Sequence, residues 1–590
     1  SKEAAKEGMV LLKNEKNLLP LVEGTRIALF GKGSFDYVKG GGGSGDVMVS
    51  YVHNLYDGLK MQEGAVQIYE PLSAFYRTDI QHQYEKGAAP GMTVEPELSP
   101  ELADGAKAFA DVAVVVISRF SGEGWDRSSI ECNNEFNPWD TETSMPKISG
   151  EVFPDGDFYL TAREKEMLSM VKERFDDIVV VLNIGGIMDL SWVKNDDRIS
   201  SALLGWQGGM EGGLAMAELL TGKGNPSGKL ADTFAADIND YPSTANFHES
   251  FDYVNYTEDI YVGYRYFETF AKEKVRYPFG YGLSYTTFDV QAALDMCSIP
   301  AGLAKGEVSK TDTLHVTYDI TNTGNVAGKE TIQFYVQKPQ GFLGKPSREL
   351  IRFAKTELLE PGEGESGILA IDFYALSSYD DSGITGHAFC YVLEEGTYTI
   401  LAGTNVRNAK EIGSFALTET VVLEELSQQL APRRHLERMT PKTNEDGTLV
   451  PIIQAAPVYL QHYSEDTCPQ CADYTGDKGY KLDDVKRGIV SMDEFLAPVS
   501  DLDLCHIVKG EGMSSPKVTP GTAAAFGGLT PNLTYFGIPA GCCTDGPSGL
   551  RMDCGTNAFS LPGGTLLACT FNTSLNADLF EMEGIEMRNN

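Results

Sequence analysis

Three apolar runs set the architecture of the first part of the chain. "RIALFG" (26–31), "VAVVVIS" (112–118) and "IVVVLNIGG" (178–186) are dense in β-branched residues, and each gives way to a polar or glycine-containing stretch. Such runs read as strands buried on both faces. Between the last two, "TAREKEMLSMVKERF" (161–175) carries apolar residues at helical spacing. "AAKEGMVLL" near the start reads as an amphipathic helix, "ISSALLGW" (199–206) as another short strand, and "EGGLAMAELLTGKGNPSGKL" as a helix stopped by Gly, Asn and Pro. Strands separated by helices predict an open, mostly parallel sheet covered on both sides. In such sheets ligands sit beyond the carboxyl ends of the strands.

The pattern then changes. Residues 245–285 are rich in Tyr, Phe and Gly ("YTEDIYVGYRYFETF", "YPFGYGLSYTTF"), too aromatic for a free linker, and are expected to dock their rings on a domain surface. From 286 to 420 the period becomes two in "TLHVTYDITNTG", "ETIQFYVQ", "SGILAIDF" and "GTYTILAGT", which predicts an antiparallel sandwich. The stretch "SQQLAPRRHLERMTPKTNEDGT" is polar with prolines and reads as a connector or exposed loop. "LDDVKRGIVSMDEFLAP" reads as helix. After 505, "GIPAGCCTDGPSGLR" ends a strand, and "LPGGTLLACTFNTSLNADLFEMEGIEMRNN" is loop and then helix.

Charge and length narrow the function classes. Acidic residues outnumber basic ones 84 to 48 in 590 residues, a formal charge of −36. That sign disfavours nucleic acid, anionic membranes and polyanionic substrates. No apolar run reaches the roughly 18 residues of a membrane span, and "SKEAAKEGMVLLKN" lacks the apolar centre of a signal peptide. The ten cysteines are scattered, as in a reduced, cytoplasmic protein. Cys468-Pro-Gln-Cys471 is a C-x-x-C pair, but a zinc site needs four ligands and no second pair matches it. No metal or other cofactor is expected.

Three stretches could carry chemistry. "GGGGSGD" (40–46) follows the first buried strand. It has no G-K-[ST] ending, so a phosphate loop fits poorly. A turn needing positive φ, or a loop bringing its backbone and Ser44 to a hydroxyl-rich ligand, are the other readings. "SRFSGEGWDRSS" places Glu123 between glycines just past a strand end. It is either a surface acid paired with Arg119 or Arg127, or a general acid whose proton is held to higher pH by the flat apolar face of Trp125. Glu131 and Glu135 are decoys of the same type. "TDGPSGLR" sets Asp545 and Arg551 around a Gly-Pro turn, as an ion pair or as a clamp on vicinal hydroxyls.

Taken together, "EGMVLLKNEKNLLPL", "GGGGSGD", "SGEGWDR", "GWQGGMEGG", "NPSGKL", "YVGYRYFET", "YPFGYGLSYTTF" and "TDGPSGLR" resemble glycoside hydrolase family 3, in particular its β-glucosidases. The resemblance spans about 1–420 and 500–590. It implies an α/β sandwich domain (1–244), an aromatic-rich connector (245–285), a fibronectin type III-like domain (286–420), a connector or lead-in (421–500) and the first part of a (β/α)8 barrel (501–590). That domain order is changed from the usual one and resembles a subset found in some gut and rumen bacteria.

The resemblance further implies a retaining, exo-acting β-glycosidase removing terminal glucose from β-linked glucosides or short oligosaccharides. Glu123 takes the acid/base position. Asp545, Arg551 and Ser44 match positions that hold the sugar in the −1 subsite, Trp125 matches a wall of the aglycone side, and Asp126 and Arg127 brace the loop. The family nucleophile, an aspartate in an S-D-W-like segment, has no good match. Ser500-Asp501-Leu502 imitates it but precedes "TDGPSGLR", so Asp501 is rejected. A barrel needs about 250 residues, against the 90 from 501 to 590. A second polypeptide or a further segment is therefore expected to complete the barrel, and 501–590 is expected to be unstable without it. Homo-oligomerisation is open. A β-xylosidase or arabinofuranosidase of the same family, and a noncatalytic carbohydrate-binding or scaffold protein, are the alternatives.

Overall fold

The computed structural model describes residues 1–123, 150–247, 250, 253–427, 432, 434–458, 473–513, 515–552 and 554–589. Trp125, Asp126, Arg127, Glu131, Glu135, Cys468 and Cys471 lie outside the described residues.

The first part is the expected open sheet. β1 (Val10–Asn14), β2 (Thr25–Phe30), β3 (Val66–Ile68), β4 (Val112–Arg119), β5 (Ile178–Ile184) and β6 (Ile199–Leu204) order as β1-β6-β5-β4-β2-β3. All neighbours run parallel except the edge pair β1 and β6. Every residue of β4 and β5 is buried, which is why their sequences are almost unbroken Val, Ile and Leu. Helices Leu55–Lys60, Glu70–Glu85, Pro100–Phe109, Ala162–Lys172 and Gly212–Leu220 flank the sheet. Three of these helices start at side-chain caps. Asn54 accepts from Asp57 N, Ser99 from Leu102 N, and Thr161 forms a reciprocal box with Glu164.

The aromatic-rich segment docks by its rings as expected. β7 (Phe234–Ala235) pairs with β8 (Val275–Tyr277). Tyr277 joins the core of the first domain, and Leu283 bridges Leu11.

The second domain is an antiparallel sandwich. β9 (Phe288–Asp295), β10 (Thr313–Asn322) and β13 (Gly364–Asp372) form one sheet. β11 (Thr331–Gln337), β12 (Glu349–Lys355), β16 (Gly396–Gly403) and β17 (Lys410–Leu417) form the second. Ile320, Phe334, Ile400 and Phe415 from both sheets share one core, and β10 alternates buried with less buried residues along its length. β14 (Ser378–Asp380), β15 (Cys390–Leu393) and β18 (Val421–Glu425) make a smaller third sheet.

Residues 437–455 are not the exposed loop the sequence suggests. β19 (Glu437–Thr443) and β20 (Leu449–Ala455) form a hairpin closed by Asn444 and Thr448. The polar composition misleads because most of the hairpin's side chains face solvent.

The last part differs from a free-standing barrel fragment. β21 (Ala524–Gly527) and β22 (Ala540–Cys543) pair antiparallel, with half of β21 exposed. The next segment folds back onto the first domain. Leu566 and Cys569, in helix Gly564–Cys569, are fully buried in the core of the first sheet. Phe571 packs edge-on against Phe279 and Phe353. Part of the segment expected to depend on a complement thus buries against this chain's own first two domains. Helix Thr573–Asn589 buries Leu579 against Ala4, Leu561 and Leu567 but leaves Phe580, Met582, Ile585 and Met587 exposed. Among the described residues no helix is long and apolar enough to cross a membrane.

Candidate active site

The strand order decides where a ligand can sit. β2 and β4 are parallel neighbours. The chain leaves β2 toward β3 on one side of the sheet and leaves β4 toward β5 on the other. Their carboxyl ends therefore open a crevice at the point where the strand order reverses. The glycine-rich loop follows β2 and the Glu123 loop follows β4, so both enter this crevice. The sequence placed Glu123 beyond a strand end, but not which loop would stand beside it.

The two loops touch backbone to backbone. A Cβ on Gly122 would lie 2.1 Å from Gly42 N. Gly43 has φ +63, and a Cβ there would lie 2.2 Å from Glu123 Oε2. Of the readings open for "GGGGSGD", the contact favours glycines chosen for positive φ and close approach. Across it, Ser44 N donates to Glu123 Oε2 at 2.8 Å.

Glu123 is exposed, and its pKa is lowered from the ordinary carboxylate value. The backbone N–H of Ser44 is the largest cause, its side chain the next, and the Arg551 charge adds to them. This corrects the expectation of a desolvated carboxyl holding its proton to higher pH. Trp125, on which that expectation leaned, lies outside the described residues.

Arg119 is not the partner of Glu123. Its buried guanidinium makes a two-pronged pair with Glu164, 2.7 Å on each arm. It also donates to the carbonyls of Ser118, Asp157 and Tyr159. Arg119 thus ties the end of β4 to the chain where it returns at 157–164, closing the base of the loop that carries Glu123. Sequence reasoning missed this role. The buried strand before Arg119 was the available signal, since a charge continuing such a strand must find a partner.

Asp545 and Arg551 close their turn through the backbone, with Arg551 N donating to Asp545 O at 2.9 Å. Thr544 Oγ1 donates to both of their carbonyls, at 3.2 and 3.1 Å. This turn is held against the glycine-rich loop. Val47 clusters with Leu550 and Ala558, and Ala558 N donates to Met48 O at 2.8 Å. From the other side, Glu586 of the last helix accepts from Phe559 N at 3.1 Å. The structure so brings Glu123, Ser44 and the Asp545–Arg551 turn together from three distant segments. Asp501 is elsewhere in role: it stands exposed in the first turn of helix Asp501–Lys509, which Ser500 caps.

Two carboxylates, one hydroxyl and one guanidinium at the mouth of a sheet can bind sugar hydroxyls, and a carboxyl can exchange a proton with a bound oxygen. Residues 9–285 match the family described as "Glycosyl hydrolase family 3 C-terminal domain", and residues 330–406 match "Fibronectin type III-like domain". Beta-glucosidase A of Butyrivibrio fibrisolvens is 43% identical over 97% of this chain and 71% of its own length. A beta-glucosidase of Ruminococcus albus is 43% identical over 99% of this chain and 58% of its own. The crystal structure of a beta-glucosidase from Paenibacillus barengoltzii superposes with a TM-score of 0.85 at 41% identity, covering 97% of this chain and 60% of that one. The chain therefore spans roughly three-fifths to seven-tenths of these relatives' lengths.

Proposed function

The chain belongs to glycoside hydrolase family 3, and we propose that it supplies the general acid/base of a retaining, exo-acting β-glucosidase. The observation that carries this reading is the Ser44–Glu123 hydrogen bond at the strand-order reversal, with the Arg551 charge beside it. Glu123 protonates the leaving oxygen, then deprotonates the water that releases the sugar. A second carboxylate, roughly 5–5.5 Å away in retaining enzymes, attacks the anomeric carbon. It comes from the rest of the barrel, on a longer chain or a second polypeptide, for which 501–590 is the opening segment. Ser44, Asp545 and Arg551 hold the hydroxyls of the terminal glucose, and Trp125 walls the aglycone side. The substrates are β-linked glucosides or short oligosaccharides. The scattered cysteines favour a reducing compartment, the cytoplasm.

The lowered pKa of Glu123 fits a half-built site. A general acid needs its proton at neutral pH. Covering the carboxyl with barrel loops and setting a second carboxylate nearby both disfavour its charged form. The test is complementation with the part of the Butyrivibrio fibrisolvens relative that this chain does not match. The chain alone should not turn over nitrophenyl β-glucoside, and the mixture should. Full activity of the chain alone contradicts the proposal.

A further inference from the structure

A cavity of about 320 Å³ lies where the aromatic-rich segment, the fibronectin-like domain and hairpin β19–β20 meet. That size is within the range of about 300–1,000 Å³ typical of small-molecule sites. None of its lining residues belongs to the Glu123 site.

The wall presents both signs of charge. Arg438 pairs with Asp381 and stands 3.5 Å from Asp259. Lys338 is tied to Glu349 at 3.0 Å. Arg265 lines the same space with no ion-pair partner among the described residues. Two hydroxyls are left over. Tyr261 is 2% exposed and its O–H has no hydrogen-bond partner among the described residues, nor does the buried Oγ1 of Thr440. Buried hydroxyls of that kind are rare and call for a ligand or water. Asp259 holds φ +50, uncommon for a residue other than glycine. Tyr379 and Tyr391, with ring centroids 5.2 Å apart, line the cavity as well.

We propose that this cavity is a second carbohydrate site, taking a neutral mono- or disaccharide. A sugar hydroxyl both donates and accepts, so it can serve carboxylates, guanidinium groups and orphaned hydroxyls together. Tyrosine faces suit the apolar C–H side of a pyranose. An anion would meet Asp259, Glu349 and Asp381, and an apolar ligand would leave the Tyr261 and Thr440 hydroxyls unpaired. The site does not depend on the acid/base reading of Glu123.

The test is isothermal titration of the whole chain with glucose, with cellobiose, and with inorganic phosphate as the anionic probe. Arg265→Met and Thr440→Val probe the cavity, and Glu123→Gln and Arg551→Met probe the other site. Thr440→Val is nearly isosteric and keeps the test decisive if Arg265→Met unfolds the hairpin. The proposal expects saccharide affinity to fall about tenfold or more in the cavity variants and a binding component to persist in Glu123→Gln. It is overturned if no saccharide binds, if both cavity variants bind as the parent does, if Glu123→Gln removes all binding, or if phosphate binds in place of sugar.

Discussion

Ser44 N donates to Glu123 Oε2 at 2.8 Å, joining loops that are 79 residues apart in sequence but follow neighbouring parallel strands. The bond requires a glycine at 43. Gly43→Ala forces a left-handed residue, costing about 1–2 kcal/mol, and drives its Cβ onto the Glu123 carboxylate. In the barrel-completed enzyme kcat should fall about 100-fold or more, while calorimetry shows only a small loss of stability. Unchanged kcat contradicts the contact.

The same bond sets a titration. Ser44 lowers the pKa of Glu123, so removing its N–H must raise it. Carbon-13 carboxyl shifts should place Glu123 below the ordinary value of about 4.3 in this chain, and Ser44→Pro should move the midpoint upward. A midpoint unmoved or moved down contradicts the assignment.

Arg119 and Glu164 are both buried and pair at 2.7 Å. Arg119→Met strands the Glu164 charge and should cost about 3–5 kcal/mol in denaturant unfolding. Adding Glu164→Leu should recover most of that loss. A double variant no better than the single one shows that the carbonyl bonds, not the ion pair, hold the loop base.

Lys355 gives a pH dependence. Its ammonium is enclosed, although the residue as a whole is only partly buried, and Nζ donates to Ser227 O at 2.6 Å. Burial pushes its pKa down to about 7, against about 10.4 unfolded. Between those values the unfolded chain binds the extra proton, so stability rises with pH across that window. Melting temperatures at steps from pH 6 to 10 should show the rise, and Lys355→Met should flatten it. A parent protein losing stability over that window through this group contradicts the burial.

Leu566 is fully buried in the core of the first domain. Leu566→Ala should cost about 2–5 kcal/mol and release the segment around 558–572 to proteolysis. Equal protease resistance in parent and variant contradicts the docking.

Much of this was legible in the sequence because each legible feature is local. Buried strands on both faces need continuous Val, Ile and Leu, and β4 and β5 have them. The sandwich announces itself through alternation, seen in β10. Hairpin β19–β20 was read as loop because its side chains are largely solvated and so carry no core pattern. The site was legible in its residues but not in its assembly. Glu123, Ser44 and Arg551 could be singled out one by one, while their meeting depends on strand order and on the backbone contact of Gly122 with Gly42. The Arg119–Glu164 pair was missed since partners 45 residues apart leave no periodic trace. The direction of the Glu123 pKa was misjudged because it is set by the Ser44 N–H, which comes from a loop 79 residues away in sequence.

The most direct test is the leaving-group dependence of Glu123→Gln in the barrel-completed enzyme. Aryl glucosides spanning poor to good leaving groups should be compared with the parent. The account predicts a loss of about 100- to 10,000-fold in kcat/KM for poor leaving groups. Good leaving groups, which depart without a proton, should lose little in kcat/KM, and azide should restore turnover by replacing base-activated water. Near-normal hydrolysis of poor leaving groups by the variant would contradict Glu123 as the proton donor.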